Sequence, residues 1–121
     1  MPSRKQSPRT RRVADRILVE LAEILNTKTE DPRLRLLTVT GAEVSRDLSV
    51  AKVWISGRLS REDEPHVLQA LERAAPYFRS LLAPRLKLRI VPHLHFEIDR
   101  SIEAGARIDE LLREIQEPRD E

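Results

Sequence analysis

The stretch HVLQALERAAPYFRSLLAPRLKLRIVPHLHFEID, residues 66–99, decides how the rest of the chain is read. Its apolar residues Val67, Leu68, Leu71, Ala74, Ala75, Phe78, Leu81 and Leu82 recur every three or four positions, the spacing of one helix face. Pro76 falls inside that pattern. Proline lacks a backbone N–H and crowds the preceding turn, so the pattern predicts two shorter helices meeting at a kink near Ala75, with Pro76 opening the second. From Pro84 onward Leu86, Leu88 and Ile90 alternate with Arg85, Lys87 and Arg89, which fits a strand as well as it fits a helix persisting to about Leu88. His93 to Asp99 is the surer strand, with Leu94, Phe96 and Ile98 facing inward and Pro92 just ahead of it.

Working outward, residues 1–8 hold two prolines and two serines without apolar periodicity and read as a disordered basic leader. From Arg9 to about Leu25 the pattern is helical, with Val13, Ile17, Leu21, Ile24 and Leu25 as the core stripe and Arg9, Arg12 and Arg16 on another face. Asn26 and Thr27 end this helix, and Asp31-Pro32 marks a turn. Leu37 and Val39 then alternate with Thr38 and Thr40, but Ala42 and Val44 continue the apolar series on the opposite parity. A bulge at Gly41 restores one face, because one extra residue shifts the side-chain phase by one. Ser45 to Leu48 reads as a hairpin connection. Val50 to Ser56 is a second strand with Ala51, Val53 and Ile55 on the buried side and Lys52 and Trp54 on the other. Ser60 and Asp63 suggest a capping box before the long helix, and Ser101 suggests the cap of a final helix carrying Ile108, Leu111, Leu112 and Ile115. The expected order is helix, strand, strand, helix, kink, helix, strand and a short carboxy-terminal helix. This is an α+β fold with helices on one face of a three-stranded sheet. One domain spans residues 9–116, and residues 117–121 form a polar tail.

Composition limits the chemistry. The 121 residues contain no cysteine, which excludes disulfides and thiolate metal sites and suits a reducing cytoplasm. No apolar run approaches membrane-spanning length, so no membrane role is expected. Residues 1–16 carry six arginines and lysines against Asp15 alone, a net charge of +5. Residues 97–121 carry nine acids against four arginines, a net of −5. A basic arm of this kind is suited to a polyanion, since each phosphate contact releases counterions. Arg9, Arg11, Arg12 and Arg16, with Arg46 and Lys52 at the hairpin and Arg79, Arg85, Lys87 and Arg89 after the kink, are the candidate phosphate-binding residues. Arg79 and Arg89 also have the position to pair with carboxylates near helix ends.

Catalysis has little to stand on. There is no phosphate-cradling glycine loop, nucleophile elbow or cysteine nucleophile, and neither enzymatic activity nor a cofactor is expected. His93 and His95 share a strand face, but nothing completes a ligand set, so no metal is expected. Ser45 and Asp47 read as turn residues whose side chains bond to backbone. Phe78 and Phe96 fall on core positions, which argues against a base-stacking sheet; Trp54 is either a stacking candidate or half-buried.

Several motifs carry a resemblance to a known family: Arg12-Val13-Ala14, Asp31-Pro32-Arg33-Leu34, Val44-Ser45-Arg46-Asp47-Leu48-Ser49 running into Ala51-Lys52-Val53, Arg79-Ser80-Leu81-Leu82, Leu88-Arg89-Ile90-Val91-Pro92 with Leu94 and Phe96, and Asp99, Ser101, Gly105 and Arg107. Together they resemble ribosome-binding factor A, a bacterial assembly factor of the small ribosomal subunit, over residues 9–112. The resemblance implies a type II KH-like fold in which an Ala-x-Gly kink replaces the KH loop Gly-x-x-Gly. Here the matching triplet is Ala74-Ala75-Pro76, with proline where the family has glycine. It also implies a monomeric, cytoplasmic, non-catalytic factor that binds 16S rRNA in the free or immature 30S subunit, not DNA. Such a factor assists 5′-end processing and growth in the cold, and a GTPase takes part in its release. The other reading of the basic face is a protein-interaction module that recognises an acidic partner.

Overall fold

The computed structural model describes residues 7–101 and residue 112. Helix α1 spans Pro8–Thr27, a one-turn helix α2 spans Pro32–Arg35, strand β1 spans Thr38–Val44, β2 Val50–Ser56, helix α3 Glu64–Leu86 and strand β3 His93–Ile98. The strands lie in the order β1-β2-β3. β1 and β2 form the expected antiparallel hairpin. β3 runs parallel to β2, which requires the chain to cross over the sheet first, and α3 is that crossover. Most of the expected carboxy-terminal helix, and residues 1–6 of the leader, lie outside the described residues.

Both long helices pack on one face of the sheet. Ile17, Leu21, Ile24 and Leu25 of α1 and Val67, Leu71, Ala75, Phe78 and Leu82 of α3 meet Ala51, Val53 and Ile55 of β2, all three fully buried, with Val39 and Val44 of β1 and Leu94 and Phe96 of β3. The Phe78 and Phe96 rings meet nearly edge-on at 6.3 Å, a favoured aromatic geometry. Val13, expected in the α1 stripe, is only half-buried, and Ala14 takes the core position instead. On the other sheet face His93 and His95 are exposed, while Lys52 and Trp54 are half-buried.

The strand phase slips as the sequence requires. Val39 pairs with Ile55 and Gly41 with Trp54, leaving Thr40 without a partner of its own, so that Val39 before the slip and Ala42 and Val44 after it share the inner face. The extra residue is thus Thr40 and not Gly41; the effect on phase is the same.

Helix α3 differs from expectation in being one element through Pro76, where two helices meeting at Ala75 were predicted. Val67, Leu71, Ala75, Phe78 and Leu82 keep a single helical phase across the proline, so burial of that face holds the helix together over the missing N–H. Pro76 and Pro84 are both exposed, as are Glu72 and Ser80 four residues before them, so the backbone carbonyls that lose their partners lie on the wet side. The helix stops at Leu86 because Lys87 adopts a left-handed conformation (φ 55°, ψ 34°) and its N–H caps the carbonyl of Ala83. Residues 88–92 are irregular, which resolves the strand-or-helix alternative in favour of a helix that ends two residues before Leu88. At the start of α3, Ser60 accepts from the N–H of Asp63 at 3.2 Å, but Asp63 makes no reciprocal side-chain cap, so only half of the expected capping box forms.

Candidate nucleic-acid interface

Ser7 and Pro8, read with the leader, are the cap and first residue of α1. The Ser7 hydroxyl accepts from the N–H of Thr10 at 3.2 Å, and proline at the first helical position loses nothing by lacking an N–H. This start places Arg9, Arg11 and Arg12 in or beside the first turn, which holds no acidic residue. Three guanidinium groups next to the positive end of a helix dipole oppose helix stability, by about 0.3–1 kcal/mol each when exposed, and together make that end strongly attractive to anions. All three are exposed and make no hydrogen bond or ion pair to the other described residues.

α1 and α3 run antiparallel, and polar contacts tie the carboxy end of α3 to the middle of α1. Arg16 donates to the Arg85 carbonyl at 3.3 Å and pairs with Glu20 at 3.2 Å. Arg85 in turn donates to Glu20 and Glu23, each at 3.1 Å. Desolvation disfavours the charged form of Arg85, but the two carboxylates outweigh it and hold its pKa above the ordinary arginine value. The carboxy end of α3 therefore lies beside the middle of α1, whose amino end runs on past it, and Lys87 and Arg89 follow there, both exposed and unpaired among the described residues.

The β1–β2 hairpin turn reaches the same pole. Its tip is built by side chains: Ser45 Oγ accepts from the N–H groups of Ser49 and Val50 at 3.1 and 3.0 Å, and Asp47 accepts from the Ser49 hydroxyl at 2.7 Å and the Ser45 hydroxyl at 2.8 Å. These bonds, that from Ser49 foremost, hold the Asp47 carboxyl below the usual aspartate range. The turn role expected for Ser45 and Asp47 is what the structure shows, and it leaves Arg46 exposed at the tip without a partner among the described residues. The His93 N–H donates to the Ser49 carbonyl at 2.9 Å, so the segment carrying Lys87 and Arg89 enters β3 next to the hairpin.

Arg46 at the hairpin and Lys87 and Arg89 after α3 thus share one pole, toward which the amino end of α1 carries Arg9, Arg11 and Arg12; all six are unpartnered among the described residues. The other four sequence candidates are occupied. Arg16 and Arg85 form the α1–α3 network, and Lys52 pairs with Glu97 at 3.3 Å and lies 5.7 Å from the Trp54 ring centre. Arg79 donates from Nε to the Pro92 carbonyl at 3.1 Å and from Nη2 to the Val91 carbonyl at 2.8 Å. It is a structural clamp as foreseen, but on backbone carbonyls and not on a carboxylate. Ala74, Ala75 and Pro76 lie on the middle of α3, away from this pole.

The sequence reading did not single out the opposite pole. There Lys28, Arg33, Arg73 and Tyr77 border a groove of about 530 Å³ between the turn after α1 and the middle of α3. The available signal was phase: Tyr77 follows the exposed Pro76 and precedes the buried Phe78, and so points away from the core. Near that pole Arg100 grips Glu64 through two bonds of 2.7 and 3.1 Å, fastening the chain after β3 to the start of α3.

Comparison with known proteins follows this geometry. A family model described as ribosome-binding factor A matches residues 9–112. Ribosome-binding factor A of Thioalkalivibrio sulfidiphilus is 45% identical over 104 residues, covering 86% of this chain and 81% of the relative. That of Thiobacillus denitrificans is 40% identical, covering 97% and 98%. Among solved structures, the crystal structure of ribosome-binding factor A from Thermus thermophilus superposes with a TM-score of 0.66 at 34% identity, over 76% of this chain and 98% of that one. A homology model of the Thermus thermophilus factor, fitted into the cryo-EM map of its complex with the 30S subunit, gives 0.60 at 36% identity, over 72% and 91%. With the family match running from the first free arginine of α1 to beyond β3, on the same α+β frame, this chain belongs to the ribosome-binding factor A family and has its KH-like fold.

Proposed function

We propose that this chain binds the free or immature small ribosomal subunit by laying its basic pole on 16S rRNA, and that it acts there as a non-catalytic assembly factor. The observation that carries this reading is the set of six cations at one pole with no partner among the described residues, three of them at the end of α1 where the helix dipole disfavours them. Residues kept against local stability are expected where function requires them. A relative fitted in a complex with the 30S subunit supports the choice of partner.

Phosphate contacts position such a domain on RNA without reading sequence, so shape would select the site. By binding immature and mature subunits with different affinity, the factor shifts the folding equilibrium of the rRNA toward the mature arrangement. On this reading it works in the cytoplasm as a monomer, favours 5′-end maturation and growth in the cold, and leaves the subunit with the help of a GTPase. Among the described residues no helix is long and apolar enough to cross a membrane.

Sedimentation of the full chain with purified 30S and 50S subunits over a salt series tests this. The expected result is co-sedimentation with 30S that weakens steeply as salt rises. Equal binding to 50S, or binding indifferent to salt, overturns it. A complex in cell extract that survives RNase digestion points instead to a protein partner.

A further inference from the structure

The groove at the far pole has a different chemistry from the basic pole. Arg73 and Tyr77 stand one turn apart on α3 and are neighbours on the same face, with Ala70 and Ala74 beside them offering no side chain beyond Cβ. Tyr77 is the only tyrosine in the chain and is 50% exposed. Lys28, at the end of α1, and Arg33 form the facing wall. The Arg33 guanidinium is locked by Asp31 at 2.9 and 3.2 Å, while Lys28 and Arg73 are unpaired among the described residues.

A half-exposed aromatic face over a floor of small residues, flanked by two free cations, is the combination that binds a single nucleic-acid strand. The ring takes an unstacked base and the cations take the phosphates on either side of it. A duplex offers no free base face. Glu30 at the rim repels phosphate and accepts hydrogen bonds, so that side suits a base edge and leaves the backbone to Lys28 and Arg73. The volume lies in the range of pockets that hold a ligand of nucleotide size. Lys28 is nineteen helical residues beyond Arg9, roughly 28 Å along α1 at 1.5 Å per residue, so this is a separate contact and not an edge of the first.

We propose that the groove is a second RNA site, which takes one unstacked nucleotide of a single-stranded segment with its base on Tyr77 and its phosphates on Arg73 and Lys28. It rests on the proposed binding of rRNA, and its test is built so that the two can fail separately.

Full-length protein is titrated with hexauridylate, with a short RNA duplex and with uridine monophosphate, and the Tyr77 ring protons are followed by NMR. The expected result is an upfield shift with hexauridylate at concentrations where the duplex and the mononucleotide produce none. Tyr77→Ala weakens hexauridylate binding about tenfold, Tyr77→Phe retains it, and Arg73→Glu weakens it with the ring intact. Undiminished binding by both Tyr77→Ala and Arg73→Glu overturns the proposal, as does saturation by uridine monophosphate at the same concentration as the hexamer. Co-sedimentation with 30S run on the same samples separates the two readings. Subunit binding with an unmoved Tyr77 sinks only the groove, and a shifted Tyr77 without subunit binding sinks only the function proposed above.

Discussion

The hydroxyl of Thr40 donates to the carboxylate of Asp99 at 2.5 Å, reaching over the central strand to join the bulge of β1 to the residue that follows β3. The two are fifty-nine positions apart in the chain. The bulge is what makes the contact possible: as the extra residue of β1, Thr40 is released from regular pairing, and its hydroxyl also lies 3.4 Å from the Trp54 carbonyl on the strand between. Asp99 is buried and accepts in addition from the N–H and hydroxyl of Ser101, at 2.8 and 2.6 Å. Burial alone raises its pKa and is the largest single influence, but the bonds from Ser101 and Thr40 prevail and leave it below the ordinary aspartate value of 3.8.

Asp99→Asn is therefore expected to destabilise the fold by about 1–3 kcal/mol at neutral pH, because an amide presents a donor to groups that themselves donate. The folded pKa is depressed, so the ionised group contributes its full stability above the ordinary value of 3.8 and loses it as the pH falls from there through the lower folded value. Urea unfolding of both proteins near neutrality and in acid checks this. A gap between them that does not narrow in acid contradicts it.

Arg79→Ala should cost about 1.5–3 kcal/mol, since it strips a charged donor from the carbonyls of Val91 and Pro92, two buried residues. The loss should be local first. The His93 amide, bonded to Ser49, should exchange its hydrogen faster even where global stability is nearly kept. Arg79→Lys should rescue little, because an ammonium cannot fork across two carbonyls. Amide exchange and urea midpoints measure both effects, and wild-type exchange at His93 in Arg79→Ala would show that the clamp holds nothing.

Replacing Pro76 by alanine restores an N–H within reach of the Glu72 carbonyl and removes the ring from the preceding turn. The expected gain is about 1–3 kcal/mol, less whatever chain entropy the proline removed from the unfolded state. Pro76→Gly should fall about 1 kcal/mol below alanine. Destabilisation by Pro76→Ala would instead mean that the packing of Ala75 and Phe78 depends on the proline.

The division of the arginines into free and tied gives a contrast experiment. Arg9, Arg11 and Arg12 changed together to glutamate should leave the melting temperature equal or higher, since acids suit a helix start, while subunit binding falls and its salt dependence flattens. Arg85→Ala should do the reverse, loosening α1 against α3 and lowering stability more than it lowers binding at fixed salt. Equal effects of both changes on binding would mean that the tied arginines also contact RNA.

The succession of long helical and strand segments, the strand faces and the phase slip near Gly41 were legible in the sequence because they are set by apolar periodicity, and one extra residue must invert it; the one-turn helix α2, read as a turn, was too short to show such a period. The turn roles of Ser45 and Asp47 were legible for a similar reason: their partners lie within five residues. Pro76 was misjudged as a helix break because its local cost was visible and the burial that offsets it was not. Within the basic set, sequence could count cations and could not sort them. Whether Arg79 meets a phosphate or the Val91 carbonyl, and whether Arg85 is free or held by Glu20 and Glu23, depends on segments brought together only by folding.

Charge, periodicity and local turn chemistry were thus determined by the sequence itself, since each acts between residues a few positions apart. The parallel seating of β3 beside β2, the common pole of Arg9, Arg46 and Lys87, the groove of Tyr77 and the bond from Thr40 to Asp99 were decided by tertiary structure. Each depends on distances between remote segments, and those are set by how the helices pack on the sheet.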